Sequence, residues 1–337
     1  MDRRIRGALS RLGVAVKRPL RVHSDLSPVR PGSVAAILRA SEGPGLDGWT
    51  VIGVSKAENA AFAHEAQGLT LAAGHWYVSA NGDDDRDGLH KVSLDLTSST
   101  RRLECPVGRS VHIGSPSHAS GWIFVPTQTP FGVWRASIDF SRSTWLAASE
   151  LPEDDMFAWC DIHPMNGLLY TSNFREPPAL RAYDASGAGA LKRIASADIP
   201  IVQPSLPAES LRLIDSATPG RQPEMLDRLR QRHFTTNVQS ACFTANCRVL
   251  MICDVDHAER IHCHSALTGV LMDTRNLPAD SADEAAFDRN ELEGITLAPL
   301  TVNGRRAHVH VLELNNDNHS GDDLYLWHFN VPCPELL

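Results

Sequence analysis

The sequence predicts an all-β protein of the β-propeller class. Three observations support this: a strand pattern that repeats along the chain, hairpin turns at regular intervals, and a globular composition. The chain has 337 residues, of which 42% are hydrophobic and 21% charged. This balance supplies enough apolar surface for a large core and excludes wholesale disorder.

The repeat is clearest between two stretches near opposite ends of the chain. Residues 65–71 read EAQGLTL and residues 291–297 read ELEGITL, and each stretch precedes another strand-like run. Weaker copies occupy 112–126, 158–172 and 237–254. Because several short strands in a recurring unit are typical of propeller blades, we expect these units to stack around a common axis.

The hairpin turns set the expected number of blades. Turns are predicted near positions 74, 121, 167, 247 and 305, and the first three follow one another at about 45 to 50 residues. This spacing favours five blades, with six as the alternative. A strand near 20–22 or near 49–54 would complete the last blade and close the ring.

The long interval between the third and fourth turns predicts a short helical insertion at 205–234. Pro223 suits a helix start, and Met225, Leu226 and Leu229 follow on one face. A degenerate sixth blade is the alternative. We therefore expect a basic N-terminal arm at 1–30 and a single propeller domain at 31–337 that carries this insertion.

The net charge and the cysteines indicate which classes of partner and which cellular compartment to expect. Lys and Arg total 32 against 40 Asp and Glu, a net charge of −8 that argues against nucleic-acid binding. No apolar run approaches the roughly 20 residues needed to span a membrane. The seven cysteines and the absence of a secretory h-region predict free thiols and a cytoplasmic location. A transit peptide is the alternative reading of the basic start.

The candidate site follows from the repeat, since equivalent positions of the innermost strands converge on the axis of a propeller. Carboxylates, amides and an imidazole recur there, and a shared cation would satisfy them. Oxygen ligands favour Ca²⁺ as the first candidate, with Mg²⁺ or a transition metal as alternatives. A water-filled axis is the other interpretation. The candidate metal ligands are Glu65, Asp161, Asn237, Gln239 and Glu293, and the candidate substrate-binding residues are His64, Gln67 and Glu291.

Three histidines are candidates for proton transfer near neutral pH: His112, His118 and His163. The alternative for each is a structural hydrogen bond to a neighbouring blade. Separately, residues 83–88 read DDDRDG, which matches the first half of a calcium loop but lacks its later acidic ligands. A polar hairpin turn explains the same residues.

The C-terminal segments 290–296, 313–318 and 324–327 carry a family resemblance. Here the chain resembles the esterase-like, phytase-like propeller proteins, and it is similar more loosely to the calcium-dependent lactonases of the gluconolactonase and paraoxonase type. In such families an E-G-I/L motif opens an inner strand and an acidic or amide group near the axis holds a metal. The resemblance implies this role for Glu293 and, through the internal repeat, for Gln67, which departs from the acidic pattern.

These observations predict a metal-dependent enzyme that acts on a small-molecule substrate at the mouth of the central channel. Hydrolysis of an ester, lactone or phosphoester is the first expectation. Metal-assisted lyase or cyclase chemistry on the same scaffold is an alternative, and so is a non-enzymatic propeller that binds a ligand or a protein. The sequence does not indicate an oligomeric state.

Overall fold

A computed structural model of the chain describes residues 46, 48–58, 60–81, 86–108, 112–128, 130–148, 157–187, 189–253, 260–277, 290–315 and 323–332. These residues form a β-propeller of five blades, each with four antiparallel strands, and two neighbouring blades are joined at their edges into one larger sheet. The ring is closed by the first strand, β1 (Thr50–Ala57), which pairs antiparallel with the last, β21 (Asp323–Asn330). The expected closing strand near 49–54 is therefore confirmed.

The other strands follow the chain from blade to blade. Blade 1 contains β2 (Ala66–Ala72), β3 (His75–Ala80), β4 (Gly88–Val92) and β5 (Ser99–Leu103). Blade 2 contains β6 (Ser117–Ala119), β7 (Trp122–Thr127), β8 (Gly132–Ser137) and β9 (Ser143–Ala148). Blade 3 contains β10 (Asp161–Ile162), β11 (Leu169–Thr171), β12 (Ala179–Asp184) and β13 (Ala190–Arg193), and β14 (Ile199–Pro200) pairs with β12.

Blade 4 contains β15 (Val238–Phe243), β16 (Arg248–Cys253), β17 (Arg260–Ser265) and β18 (Leu271–Asn276). Blade 5 contains β19 (Asn290–Val302), β20 (Arg305–Asn315), β21 and β1. The innermost strands are β2, β6, β10, β15 and β19, and each contacts the next around the ring. Five blades, rather than six, thus surround the axis.

Five hydrophobic clusters hold the blades together, one at each junction between neighbours. Successive strand residues point to opposite faces, so one strand serves two junctions. On β3, Trp76 and Val78 pack toward blade 5, whereas Tyr77 packs toward blade 2. Burial of both faces explains why these strands read as nearly continuous apolar runs.

The predicted helical insertion is confirmed between blades 3 and 4. It contains α1 (Ala208–Ser216) and α2 (Gln222–His233), joined by a short 3₁₀ turn (Pro219–Arg221); a second 3₁₀ turn (Ala195–Ala197) precedes β14. Pro223 lies in the first turn of α2, where its missing N–H costs nothing. None of the helices in the described ranges is long and apolar enough to cross a membrane. The predicted arm at 1–30 lies outside the described residues, and the domain boundaries remain a prediction.

Candidate functional site

The innermost strands of blades 1, 4 and 5 share a β-bulge at the same point of the repeat. In each, one extra residue interrupts the pairing with the next strand: Gln67 in β2, Gln239 in β15 and Glu293 in β19. We call these three residues the mouth layer. Bulges re-aim side chains and occur often beside active sites, so this shared irregularity marks the axial end of three blades as a candidate site.

The mouth layer is joined across a blade boundary by a hydrogen bond. The Gln239 side-chain amide donates to Glu293 Oε1 at 3.1 Å. Glu293 is only 2% exposed and Gln67 only 7% exposed. A buried carboxylate is costly unless hydrogen bonds compensate its lost hydration, so this contact offsets part of that cost. The predicted proximity of Gln239 and Glu293 is therefore present in the structure.

A second set of predicted residues lies two positions before the bulge in each blade. Glu65, Asn237 and Glu291 are half-buried, and His112 at the corresponding position of blade 2 is exposed. Glu65 and Asn237 both adopt left-handed backbone conformations, with φ of 50° and 49°. Such conformations cost about 1 kcal/mol in residues other than glycine and cluster at functional sites. In blades 1 and 5 the side chains become more buried from this rim to the mouth layer, whereas in blade 4 both Asn237 and Gln239 are half-buried.

The axis is closed immediately below the mouth layer by small residues, which we call the plug: Gly68, Ser115, Ser240 and Gly294. The Ser115 and Ser240 hydroxyls, from the non-adjacent blades 2 and 4, are 2.7 Å apart. The Ile295 N–H of blade 5 donates to Ser240 Oγ at 3.1 Å. A Cβ on Gly68 would lie 2.2 Å from Ser115 Oγ. The plug therefore closes the axis on one side of the mouth layer.

Asp161 lies on the other side of the plug, in what we call the floor layer. Its carboxylate accepts hydrogen bonds from the Phe243 N–H at 2.8 Å and from the Ile162 N–H at 2.7 Å, beside the Ser117 hydroxyl. Burial raises the pKa of Asp161 to about 7 despite these donors. The structure therefore groups Asp161 with Ser117 and Phe243.

The predicted histidines occupy different environments. His163 is 2% exposed; its Nδ1 accepts from the Met165 N–H at 3.1 Å, and its ring also bonds the Ala266 backbone in blade 4. Burial lowers the pKa of His163 to about 4. These contacts favour the structural alternative for His163. His118 is half-buried on β6, opposite Ile123.

His64 is half-buried next to Glu65 at the rim. Within the described ranges, no three His, Cys, Asp or Glu side chains converge as a metal-binding group. A cation at the mouth would instead combine Glu293 with amide oxygens, a donor set that suits Ca²⁺. Residues 83–85 of the candidate calcium loop at 83–88 lie outside the described residues.

Sequence reasoning missed the plug and the backbone contact between blades 2 and 3. The Ser115 N–H donates to the Ala158 carbonyl at 2.7 Å, and Ser115 also bridges to Trp159. A Cβ on Gly114 would lie 2.1 Å from that carbonyl oxygen. The available signal was a small residue after each polar position, since Gly68, Ser240 and Gly294 follow the three bulge residues directly.

Comparison with known proteins adds information about the fold. No protein-family model and no curated protein sequence matches this chain. Among solved structures, it is similar to a glutaminyl cyclase from Myxococcus xanthus, with 13% identity and a TM-score of 0.50 over 84% of this chain and 95% of that one. The Malassezia sympodialis allergen Mala s 1 aligns with 11% identity and a TM-score of 0.40 over 80% of this chain and 78% of the allergen.

A further match is the β-propeller domain of Cps50 (Swd1) from Myceliophteria thermophila, with 10% identity and a TM-score of 0.37 over 83% of this chain and 99% of that domain. At these identities the likeness concerns the fold alone. The finer resemblance to phytase-like and gluconolactonase-type propellers remains a prediction. This chain is a β-propeller, and its fold is one that an enzyme also uses.

Proposed function

We propose that this chain is an enzyme that binds a small-molecule substrate, together with a divalent cation, in the pocket above the plug. The observation that carries the proposal is the Glu293 carboxylate, which is 2% exposed on a bulge and hydrogen-bonded by Gln239 of the neighbouring blade. A carboxylate that is buried at the end of the axis can bind a cation or accept a proton from a substrate.

The donors around the pocket suit a hard cation. Glu293 and Glu65 supply carboxylates, and Gln67, Gln239 and Asn237 supply amide oxygens. Ca²⁺ accepts mixed sets of this kind, so it is our first candidate. When bound, such an ion polarises a carbonyl or phosphoryl oxygen or activates water. The chain itself would orient the substrate against the plug and limit its contact with bulk water.

Hydrolysis of an ester, lactone or phosphoester is the reaction we propose first. Ring closure is the second candidate, and the observation that favours it is the fold likeness to a glutaminyl cyclase over 95% of that chain. Both reactions need a group that takes up a proton from an attacking nucleophile and a site that stabilises charge on a carbonyl oxygen. A substrate panel of lactones, phosphoesters and N-terminal glutaminyl peptides separates them.

The first test measures cation binding through thermal stability. Ca²⁺ that binds only the folded protein raises its melting temperature, and at 100 times Kd the added stability is about 2.7 kcal/mol. We expect this rise in the wild type and its reversal by a chelator. Glu293→Gln preserves an acceptor for Gln239 but removes the charge, so it should abolish the rise.

The matched control is Glu209→Gln, at an exposed position of α1. This variant should respond to Ca²⁺ as the wild type does. An unchanged melting temperature with and without chelator contradicts the cation proposal. Loss of turnover on the substrate panel in Glu293→Gln but not in Glu209→Gln supports an enzyme. Binding without turnover supports the alternative of a non-enzymatic ligand-binding propeller.

A further inference from the structure

A buried chain of hydrogen bonds lies behind the mouth, where the helical insertion joins blade 4. Thr235 Oγ1 is 2.8 Å from His262 Nδ1 and 2.7 Å from His264 Nε2. All three side chains are at most 1% exposed. Thr235 follows α2 by two residues and precedes the rim residue Asn237 by two, so it connects the insertion to the proposed pocket.

The partners assign the direction of each hydrogen bond. His264 Nδ1 lies 3.0 Å from the Gly269 carbonyl, which can only accept, so Nδ1 carries the proton and Nε2 is an acceptor. The Thr235 hydroxyl therefore donates to His264 and accepts from His262 Nδ1–H. His262 Nε2 is left as a buried lone pair with no hydrogen-bond partner in the described part of the chain. This assignment has both rings neutral, in agreement with the burial that lowers the pKa of each.

Further hydrogen bonds attach the same segment to the insertion and to blade 3. The Gln203 side chain accepts from the Thr235 N–H at 2.8 Å and donates to its carbonyl at 2.9 Å. The Glu176 N–H donates to Thr236 Oγ1 at 3.2 Å, and the Val238 N–H donates to the Phe174 carbonyl at 2.8 Å. Hydrogen bonds therefore hold the insertion at both of its ends.

Protonation of either histidine is unfavourable in this arrangement, because both rings are buried away from water. A proton on His264 Nε2 would reverse the Thr235 hydroxyl and move the His262 proton to its Nε2, where the buried N–H has no acceptor in the described part of the chain. A proton on His262 would place a charge in a buried position. Among the described residues, Arg260 on β17 acts on His262, and Cys253 on β16 and Arg232 and His233 on α2 lie around Arg260. None of these four is a carboxylate that would stabilise an imidazolium.

We propose that the His262–Thr235–His264 chain is an acid-sensitive latch that holds the helical insertion against blade 4 and fixes the rim at Asn237. Opening exposes both histidines to water, where they take up protons readily. The expected effect of opening on cation binding rests on the function proposed above. The opening of the insertion at low pH does not rest on that function.

The expected pH dependence follows from proton linkage. Burial lowers the pKa of His262 to about 3 and that of His264 to about 4. Exposed imidazoles titrate near pH 6.5, so the open form binds two more protons than the closed form below that pH. The opening constant should therefore rise about 10³-fold between pH 8 and pH 5.

Hydrogen exchange read by mass spectrometry tests the latch in the intact chain. Exchange rates of α2 peptides, corrected for the intrinsic effect of pH, give the opening constant at each pH. The slope of the logarithm of the opening constant against pH gives the number of protons taken up on opening. His262→Asn retains an N–H near the Nδ1 position and does not titrate, so this number should fall from two to one. Thr235→Val should open about tenfold more at pH 8, and Thr235→Ser should restore wild-type protection.

A second buried histidine pair in blade 5 supplies the matched control. His310 and His328 are joined through their Nδ1 atoms at 2.7 Å, and neither is bonded to the insertion. His310→Asn should leave the α2 slope at two protons, and unchanged exchange in β15 and β16 peptides shows that each variant is folded. The latch proposal is wrong if the opening constant does not change with pH. It is also wrong if opening of His262→Asn takes up as many protons as opening of the wild type.

Measuring the Ca²⁺-dependent melting shift at pH 8 and pH 6 separates the two proposals. If Ca²⁺ never shifts the melting temperature but the opening of α2 still takes up two protons, the proposal of a cation in the pocket is wrong and the proposal of the latch is supported. If Ca²⁺ binds equally in the wild type and in Thr235→Val, the coupling of the latch to the rim is wrong.

Discussion

Blades 1, 4 and 5 differ from blades 2 and 3 in how they approach the axis. The first three carry a bulge with a polar side chain, Gln67, Gln239 or Glu293, above the plug. Blades 2 and 3 meet through backbone instead, because the Ser115 N–H bonds the Ala158 carbonyl. Their outer strands, β9 and β13, also pair in parallel, so the two blades form one continuous sheet.

This difference divides the polar groups of the axis into two layers. Blades 1, 4 and 5 supply the amides and the carboxylate of the mouth layer. The floor layer draws on blades 2, 3 and 4 instead, because Asp161 lies with Ser117 and Phe243.

The largest effect is expected where the two groups of blades touch. In Gly68→Ala, the new Cβ would lie 2.6 Å from the Cα of Ser115, at a backbone φ of +146°. Backbone cannot move aside as a flexible side chain can, so overpacking and strain together should lower the free energy of unfolding by about 4 kcal/mol. Chemical denaturation measures this loss.

The control is Gly74→Ala in the hairpin turn of blade 1. Its φ of +72° is also positive, but no atom lies within 4 Å of the new Cβ. Strain alone should cost about 1 kcal/mol. Equal losses at the two positions would mean that close contact at the plug does not matter.

An intermediate effect is expected from the floor layer as a function of pH. The folded-state pKa of Asp161 is raised to about 7 by burial, above its unfolded value of 3.8. Stability from this group is thus fully present below pH 3.8 and is lost as the pH rises through 7. Relative to the wild type, Asp161→Asn should gain roughly 2 to 3 kcal/mol between pH 4 and pH 8.

Denaturation of both proteins across this pH range measures that gain. The buried histidines contribute the opposite trend below pH 6.5, but they contribute it equally to both proteins. The difference between wild type and variant therefore isolates Asp161. A difference that stays constant with pH would show that Asp161 is ionised throughout and that the floor is well hydrated.

The smallest effect is expected in the mouth layer. Gln239→Ala removes the donor to Glu293 and should lower the free energy of unfolding by about 1.5 kcal/mol, since a buried carboxylate loses a hydrogen bond. Gln231→Ala on α2, which removes an exposed bond to Asp227, should change it by less than about 0.5 kcal/mol. Similar values for the two variants would indicate that the mouth layer is fully hydrated.

Much of the fold could be predicted because blade structure is local. The hairpin turns near 74, 121, 167, 247 and 305 and the insertion at 205–234 all have signals within a few residues, such as the Asn303–Gly304 turn with positive φ at both residues. The repeat also placed Glu65, Asn237 and Glu291 at equivalent points of three blades. Such regularities survive folding because each depends on neighbours in the chain.

The site was predictable only in part. Gln239 and Glu293 meet as the repeat suggested, whereas Asp161 and His163 form hydrogen bonds with other residues. The repeat is weakest in blades 2 and 3, where the innermost strands are short and the register depends on a contact between their backbones. No pattern within either segment reports that contact.

The order of strands and turns, the alternation that buries both faces of each blade, and the helical insertion follow from the amino-acid sequence alone, because period and turn chemistry act over a few residues. The plug, the two layers of polar groups and the His262–Thr235–His264 chain arise only in three dimensions. Each joins residues from separate blades or elements, and how closely those elements approach is set by the packing of the whole ring.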